Sequence, residues 1–278
     1  MKEPTTPNVK SVELPNGVRL PYVEQGDPSG VPVVFLHGFL DSWRTFEPVL
    51  SLLPESIHAF APTQRGHGDA SRPAAGYGVP DFAADLAAFM DVVHLEAGVI
   101  VGHSMGSAVA LRFALDNPDR ASGLVLVGAS ASLRANPNAQ KNWNALLSRL
   151  TDPVDPEFVR EGLKNTLAQP VPPALFESLA QENLRVPVFV WRAAMDARWR
   201  AEGDFAGELA RIRAPTLIIW GDRDVRYPLS EQEAIAAAIP DSRLVVYGGA
   251  GHLLHVEEPN RAATDLAAFI AELEIESG

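Results

Sequence analysis

The sequence predicts an α/β fold: a mostly parallel, doubly wound sheet with a helical cap inserted between strands 6 and 7. Three observations carry that expectation. Short apolar runs alternate with stretches of helical spacing, the rhythm of parallel strands buried on both faces. The rhythm breaks between about residues 132 and 210, where several helical stretches follow one another with prolines between them, and then resumes. At residues 98–105 an apolar strand turns into a helix with no loop between, inside a Gly-x-Ser-x-Gly pattern.

Taken in order, residues 9–25 read as a β-hairpin. Pro15-Asn16-Gly17 supplies the turn, with Asn16-Gly17 suited to positive φ. Residues 31–36 form a nearly all-apolar strand ending at His37-Gly38. Residues 43–53 have a helical pattern, 57–63 are a strand, and 64–69 are a polar, glycine-bearing loop. Phe82, Leu86, Phe89, Met90 and Val93 fall at helical spacing, which predicts an amphipathic helix over 80–95 with Pro80 near its start. Residues 98–102 are a buried strand, 105–117 a helix stopped by Pro118, and 123–128 a strand. After the insertion come a strand at 215–220, a helix at 230–239 and a strand at 243–247. A closing helix over 258–274 buries Ala262, Leu266, Phe269, Ile270 and Leu273.

The insertion predicts helices at 138–150, 156–168, 173–184 and 188–201. It divides the chain into a first core part (1–131), a helical cap (132–210) and a second core part (211–278). The cap carries Trp143, Phe158, Phe176, Phe189, Trp191 and Trp199, aromatic residues suited to lining a pocket. Of these, Trp143, Phe158 and Trp191 are the substrate-binding candidates. For any one of them, packing of cap helices on each other is the competing role.

Composition narrows the function. A chain of 278 residues with 46% hydrophobic and 21% charged residues can bury a sizeable core and is not of the disordered type. Its 23 Lys+Arg against 35 Asp+Glu give a net charge of −12, which disfavours nucleic acid and anionic membranes as partners. The absence of cysteine excludes disulfides, a thiolate nucleophile and thiolate metal sites. Residues 1–7 have no apolar signal core and no apolar run approaches a membrane span, so the expectation is a soluble, cytoplasmic protein. No His-Glu-x-x-His, phosphate-binding loop or dinucleotide fingerprint occurs, so no metal and no cofactor is expected.

The chemistry is concentrated in Gly102-His103-Ser104-Met105-Gly106. A nucleophilic serine must project from a sharp turn at the end of a strand, and small residues two before and two after let the backbones pass. The helix starting at Met105 directs its N-terminal N–H groups and positive dipole end to the same place. Ser104 is therefore the candidate nucleophile, and it needs a base held in one tautomer. Of seven histidines, His252 stands in a glycine-rich loop directly after the last strand. His255 is the alternative, while His58 and His94 sit where structural roles are commoner. The acid belongs after the preceding strand, where Asp222 and Asp224 compete. Asp222 is so close to the strand that organising the turn suits it, which favours Asp224. Oxyanion donors are expected at the N–H of Met105 and the N–H of Phe39, whose ring would form a pocket wall.

These residues resemble the α/β-hydrolase superfamily, and the likeness runs through nearly the whole chain. It comprises His37-Gly38, Arg65-Gly66-His67-Gly68, residues 102–106, residues 221–224 and Gly251-His252, in that order. The resemblance implies that Asp224 is the acid, that the insertion is the family's lid, and that Arg65 and His67 are structural. The chain departs from the family in Ser107, where a second glycine is common, and in Thr63-Gln64, where an acidic residue is common. Ser104 in place of the aspartate of some relatives argues against epoxide hydrolase and haloalkane dehalogenase chemistry. The implied activity is a serine hydrolase cleaving a small-molecule carboxylic ester or lactone. The same residues also serve C–C bond hydrolysis, amide hydrolysis and cofactor-free perhydrolysis, and a small-molecule receptor with slow turnover is the alternative of another class.

Overall fold

The computed structural model describes residues 8–132, 139–198 and 204–277. Eight strands form one sheet in the order β1-β2-β4-β3-β5-β6-β7-β8. They are β1 (Val9–Glu13), β2 (Arg19–Gln25), β3 (Val31–Leu36), β4 (Ile57–Pro62), β5 (Gly98–His103), β6 (Ala121–Val127), β7 (Thr216–Gly221) and β8 (Ser242–Tyr247). The hairpin β1–β2 and the β2–β4 pair are antiparallel, and every pair from β4 to β8 is parallel. From β3 the chain winds one way to β4 and then the other way through β5, β6, β7 and β8. That reversal leaves a crevice beyond the carboxyl ends of β3 and β5, where ligands of such sheets bind.

The strand sequences follow from what covers them. β4, β5 and β7 are buried at every position, so they are continuous apolar runs rather than alternating ones. Alternation still decides the layer. Ile100, Leu124 and Leu126 join Phe113 beneath α2 (Val79–Val92) and α3 (Met105–Asp116). Val99, Val101, Val125 and Val127 join Phe269 on the opposite face, beneath α1 (Glu47–Leu50) and α10 (Pro259–Ser277). The hairpin turn closes as its sequence requires, with Gly17 at φ +78° and the Asn16 side chain accepting from the Val18 N–H at 3.0 Å.

Helices α4 (Ala139–Arg149), α5 (Pro156–Lys164), α6 (Pro173–Leu184) and α7 (Val188–Arg198) lie between β6 and β7; then come α8 (Leu229–Ala238) and the short α9 (Leu254–Glu257). Among the described residues no helix is long and apolar enough to cross a membrane. Two elements differ from the sequence expectation. The helix expected over 43–53 is a 3-10 turn, Trp43–Phe46, running into the four-residue α1; Ser42 caps the turn. The closing helix expected over 258–274 is α10, preceded by the separate short α9. The helix expected to reach residue 168 ends at Lys164; beyond it the Thr166 carbonyl bonds to the His252 N–H and the Ala168 and Gln169 N–H groups to Glu257 of α9.

One buried ion pair ties the antiparallel edge to the parallel core. Arg65 donates through two nitrogens to the Asp85 carboxylate of α2 and through a third to the Gly76 carbonyl. Asn16 of the hairpin turn donates to Asp85 as well, at 2.9 Å. The structural role expected for Arg65 is thus visible as a three-way tie. Removing one partner from such a pair leaves an uncompensated buried charge, which costs about 3–5 kcal/mol. Asp85→Ala is therefore expected to lose about that much in urea unfolding. A loss below about 1 kcal/mol, the range of an exposed pair, would show that Arg65 finds water.

Candidate active site

A single residue, Ser104, separates the end of β5 from the start of α3. It sits at φ +52°, ψ −113°, a conformation few side chains adopt. Its N–H donates to the Val127 carbonyl of β6 at 2.9 Å, and its carbonyl accepts from the Ser107 N–H at 3.0 Å and the Ser107 hydroxyl at 2.6 Å. Ser107, a departure from the family pattern, thus helps to hold the turn. The glycines on either side are required by close approach. A Cβ on Gly102 would lie 2.3 Å from the Gly106 carbonyl oxygen, and one on Gly106 would lie 2.1 Å from that of Leu36. Met105 is the first residue of α3, where backbone N–H groups have no partner within the helix.

The loop after β3 is pinned by His37. Its Nδ1 donates to the Gly38 carbonyl at 2.8 Å and its Nε2 accepts from the Gln64 N–H at 2.9 Å. Leu40 follows with φ +73°, and its carbonyl is held by Asn183 of α6 at 3.1 Å. This fixes the path of Phe39 between them.

The loops after β7 and β8 bring Asp224 and His252 together. Asp224 Oδ2 accepts from His252 Nδ1 at 2.8 Å, and Oδ1 accepts the N–H groups of Arg226 at 2.6 Å and Tyr227 at 3.2 Å. The Asp224 carboxylate has no solvent exposure. With Nδ1 committed to that carboxylate, Nε2 is the ring nitrogen left free of it. The His252 N–H donates to the Thr166 carbonyl at 2.9 Å, its carbonyl accepts from His103 Nε2 at 3.1 Å, and its ring meets Tyr227 edge-on at 5.5 Å. Asp222 is half-exposed and accepts the Gly249 N–H at 2.7 Å, so it organises the turn and does not meet His252. His255 lies in α9, hydrogen-bonded to the Thr45 hydroxyl at 3.0 Å and packed on Phe46. Burial and the nearby His252 pull its pKa down to about 3.

Ser104, Met105, Phe39 and His252 open onto one cavity of about 470 Å³. Trp143, Phe158 and Trp191 line it, as do Leu163 and Thr166. The Phe39 ring meets Trp191 edge-on at 5.7 Å and Trp143 at 6.3 Å, which makes it a wall of the same chamber. The wider aromatic expectation needs correction. Phe189 stands outward, 44% exposed, against Tyr77, and Phe176 packs against the core; neither lines the cavity. Trp199 lies outside the described residues. Among the described residues no group of three or more His, Cys, Asp or Glu is placed to hold a metal ion.

Sequence reasoning missed Asp41 and Asn183. Both are buried on the cavity wall, and Asn183 Nδ2 donates to Asp41 Oδ1 at 3.3 Å. Burial pushes the Asp41 carboxyl up to about 7; Asn183 opposes the rise and Glu182 adds to it. Asp41 Oδ2 lies 3.8 Å from His103 Nδ1, a buried nitrogen without a hydrogen bond. Burial holds the His103 pKa well below its ordinary value, so the imidazole stays uncharged and the two do not form an ion pair. No local signal marks Asp41, because its partner is 142 positions away.

A sequence profile described as the alpha/beta hydrolase fold matches residues 31–259. Epoxide hydrolase A of Mycobacterium tuberculosis is 28% identical, over 94% of this chain and 96% of that one. A thermophilic esterase from Thermogutta terrifontis superposes with a TM-score of 0.81 at 26% identity, covering 96% of this chain and 99% of that one. Est816, described as an N-acyl homoserine lactone degrading enzyme, superposes with a TM-score of 0.79 at 25% identity, covering 94% and 100%.

Asp41 makes stability depend on pH in a defined sense. Its folded pKa is raised from 3.8 to about 7, so the folded state holds a proton that the unfolded state has released. That contribution is complete below the unfolded value and is lost as pH rises through about 7. Asp41→Asn cannot ionise. Its melting temperature relative to the parent should therefore climb between about pH 4 and pH 8. A constant difference across that range would place Asp41 in water.

Proposed function

The chain belongs to the α/β-hydrolase fold family, and from that membership we propose that it hydrolyses a carboxylic ester or lactone through an acyl-enzyme on Ser104. The observation that carries the reading is the Asp224–His252 pair at 2.8 Å, with the imidazole and the strained Ser104 opening on the same cavity. His252 Nε2 takes the Ser104 proton as the hydroxyl oxygen attacks the carbonyl carbon. The N–H groups of Phe39 and Met105 carry the oxyanion. The imidazolium returns the proton to the leaving alkoxide as the C–O bond breaks. Water then gives a proton to His252 and attacks the acyl carbon, and the proton returns to Ser104 as the acid departs. Asp224 stabilises the imidazolium at both stages and stays ionised.

The apolar wall of Trp143, Phe158, Trp191 and Phe39 suits an acyl or alcohol group of moderate length. Residues 132–210 serve as the cap that selects it, set on a core of 1–131 and 211–278. The lactone-degrading activity in the description of Est816 supports ring esters as substrates. The name of the mycobacterial relative points to epoxides. Ser104 weighs against that chemistry here, because a hydroxyl nucleophile suits acyl transfer and the epoxide-opening members use a carboxylate.

Ser104→Ala should keep its fold and lose roughly 10⁴-fold or more in p-nitrophenyl ester hydrolysis, and His252→Ala should match it. Asp224→Asn should be severe and Asp222→Asn mild. The reverse ranking would move the acid to Asp222, while near-full activity in Ser104→Ala would end the proposal.

The cap residues call for a separate measurement. Trp143→Ala, Phe158→Ala and Trp191→Ala should shift chain-length preference by about 10–200-fold across an acetate-to-octanoate series, with KM moving more than the rate on acetate. Lower melting temperatures with an unchanged preference in all three would mean that these rings only hold the cap together.

A further inference from the structure

The loop that carries His252 does not stand alone. Glu257, at the end of α9 and half-buried, accepts the Gly251 N–H with both carboxylate oxygens, at 3.1 and 3.0 Å. Its Oε2 also accepts the N–H groups of Ala168 at 3.2 Å and Gln169 at 2.9 Å. Gln169 in turn donates to the Gly249 carbonyl at 3.3 Å and to Glu258 at 3.0 Å. The Thr166 carbonyl receives the His252 N–H at 2.9 Å. Residues 166–169 follow α5, and Phe158, Leu163 and Thr166 face the cavity.

Taking His252 as the base, as above, we propose that Glu257 is a positioning residue for it: one carboxylate clasps the loop at 249–252 to the segment after α5, so the imidazole and that cavity wall are set together. The chemistry of the clasp is specific. A carboxylate can accept several N–H groups at once, and each such bond is charge-assisted. A neutral amide in its place offers one acceptor oxygen and turns an unwanted donor toward the Gly251, Ala168 and Gln169 N–H groups. Nothing else on the described loop gathers those three donors. The space is also filled: a Cβ on Gly251 would lie 2.6 Å from the Thr166 carbonyl oxygen, 2.7 Å from the Ala168 nitrogen and 2.8 Å from Glu257 Oε1. Gly251 therefore permits the contact that Glu257 holds shut. The carboxylate touches no reacting atom; it acts through the direction it gives the imidazole, and near-attack geometry is sensitive to that direction.

Two variants test the clasp from its two sides. Glu257→Gln removes the charge and one acceptor without changing size, and Gly251→Ala wedges the contact with the carboxylate intact. The expected result in both is amide exchange at His252, Ala168 and Gln169 that is faster by about ten-fold. The His252 Nδ1–H proton resonance should broaden, and kcat on p-nitrophenyl acetate should fall by about ten-fold with KM changed less than about two-fold. Exchange and the proton resonance need no substrate, so they report on the clasp even if the parent protein fails to cleave esters; that failure would count against the ester reading alone. Unchanged exchange and an unchanged resonance in both variants would overturn the clasp. Faster exchange with a sharp resonance and an unchanged kcat would leave a loop anchor and overturn the positioning role. If Glu257→Gln does not fold, Gly251→Ala decides by the same criteria.

Discussion

Between β5 and α3 the chain has one residue in which to reverse its use of the backbone, and the positive φ of Ser104 is how it does so. Strain of this kind, on the order of 1–3 kcal/mol, persists only where neighbours over-determine it. Here the N–H is held by Val127 of the next strand and the carbonyl by two groups of Ser107. The contact of Gly106 with the Leu36 carbonyl then brings the end of β3 against the start of α3. The loop bearing Phe39 is thereby fixed relative to Met105. The loops after β7 and β8 lie beside the same crevice because those strands continue the parallel run. The cavity is thus a consequence of one turn in a buried strand, and the aromatic residues of the inserted helices close it over.

Burial sorts the histidines. His37, His67, His103 and His255 are all enclosed, and burial lowers the pKa of each. Each serves as a neutral hydrogen-bonding group: His37 for the loop after β3, His67 for the Arg65 carbonyl, His255 for Thr45, and His103 for the His252 carbonyl. His252 differs in meeting a buried carboxylate at hydrogen-bond distance. His58 also meets a carboxylate, that of Glu24, but on β2 and β4, away from the cavity. Proximity to Ser104 in sequence was no guide to this sorting, since His103 is adjacent and structural.

What the sequence made legible follows the range of the forces involved. The buried strands announced themselves because burial on both faces demands unbroken apolar runs. The turn at Ser104 was legible because its tight backbone passage requires glycine at two fixed offsets. Distance from the strand end favoured Asp224 over Asp222, and it is Asp224 that is hydrogen-bonded to His252 while Asp222 holds a turn. Contacts between distant segments left no such trace. Asp41 with Asn183, Thr166 with the His252 loop, and Glu257 with residues 168–169 each join positions whose local sequences suit ordinary turns and helices. The direction of a helical side chain was equally obscure, so Phe176 and Phe189 could not be told from Phe158 until the helices were placed.

The order of parts along the chain has a consequence for synthesis. Ser104 is made before Val127, whose carbonyl sets its turn, and well before its proposed base, His252. While the residues between them are being made, the emerging chain exposes a serine with no His252 imidazole to activate it. A prematurely ended chain that lacks residue 252 lacks the proposed base altogether. On this ordering and the acyl-transfer reading proposed above, a chain ending before His252 would be inert, and competence would arrive only with β8 and the loop that follows it.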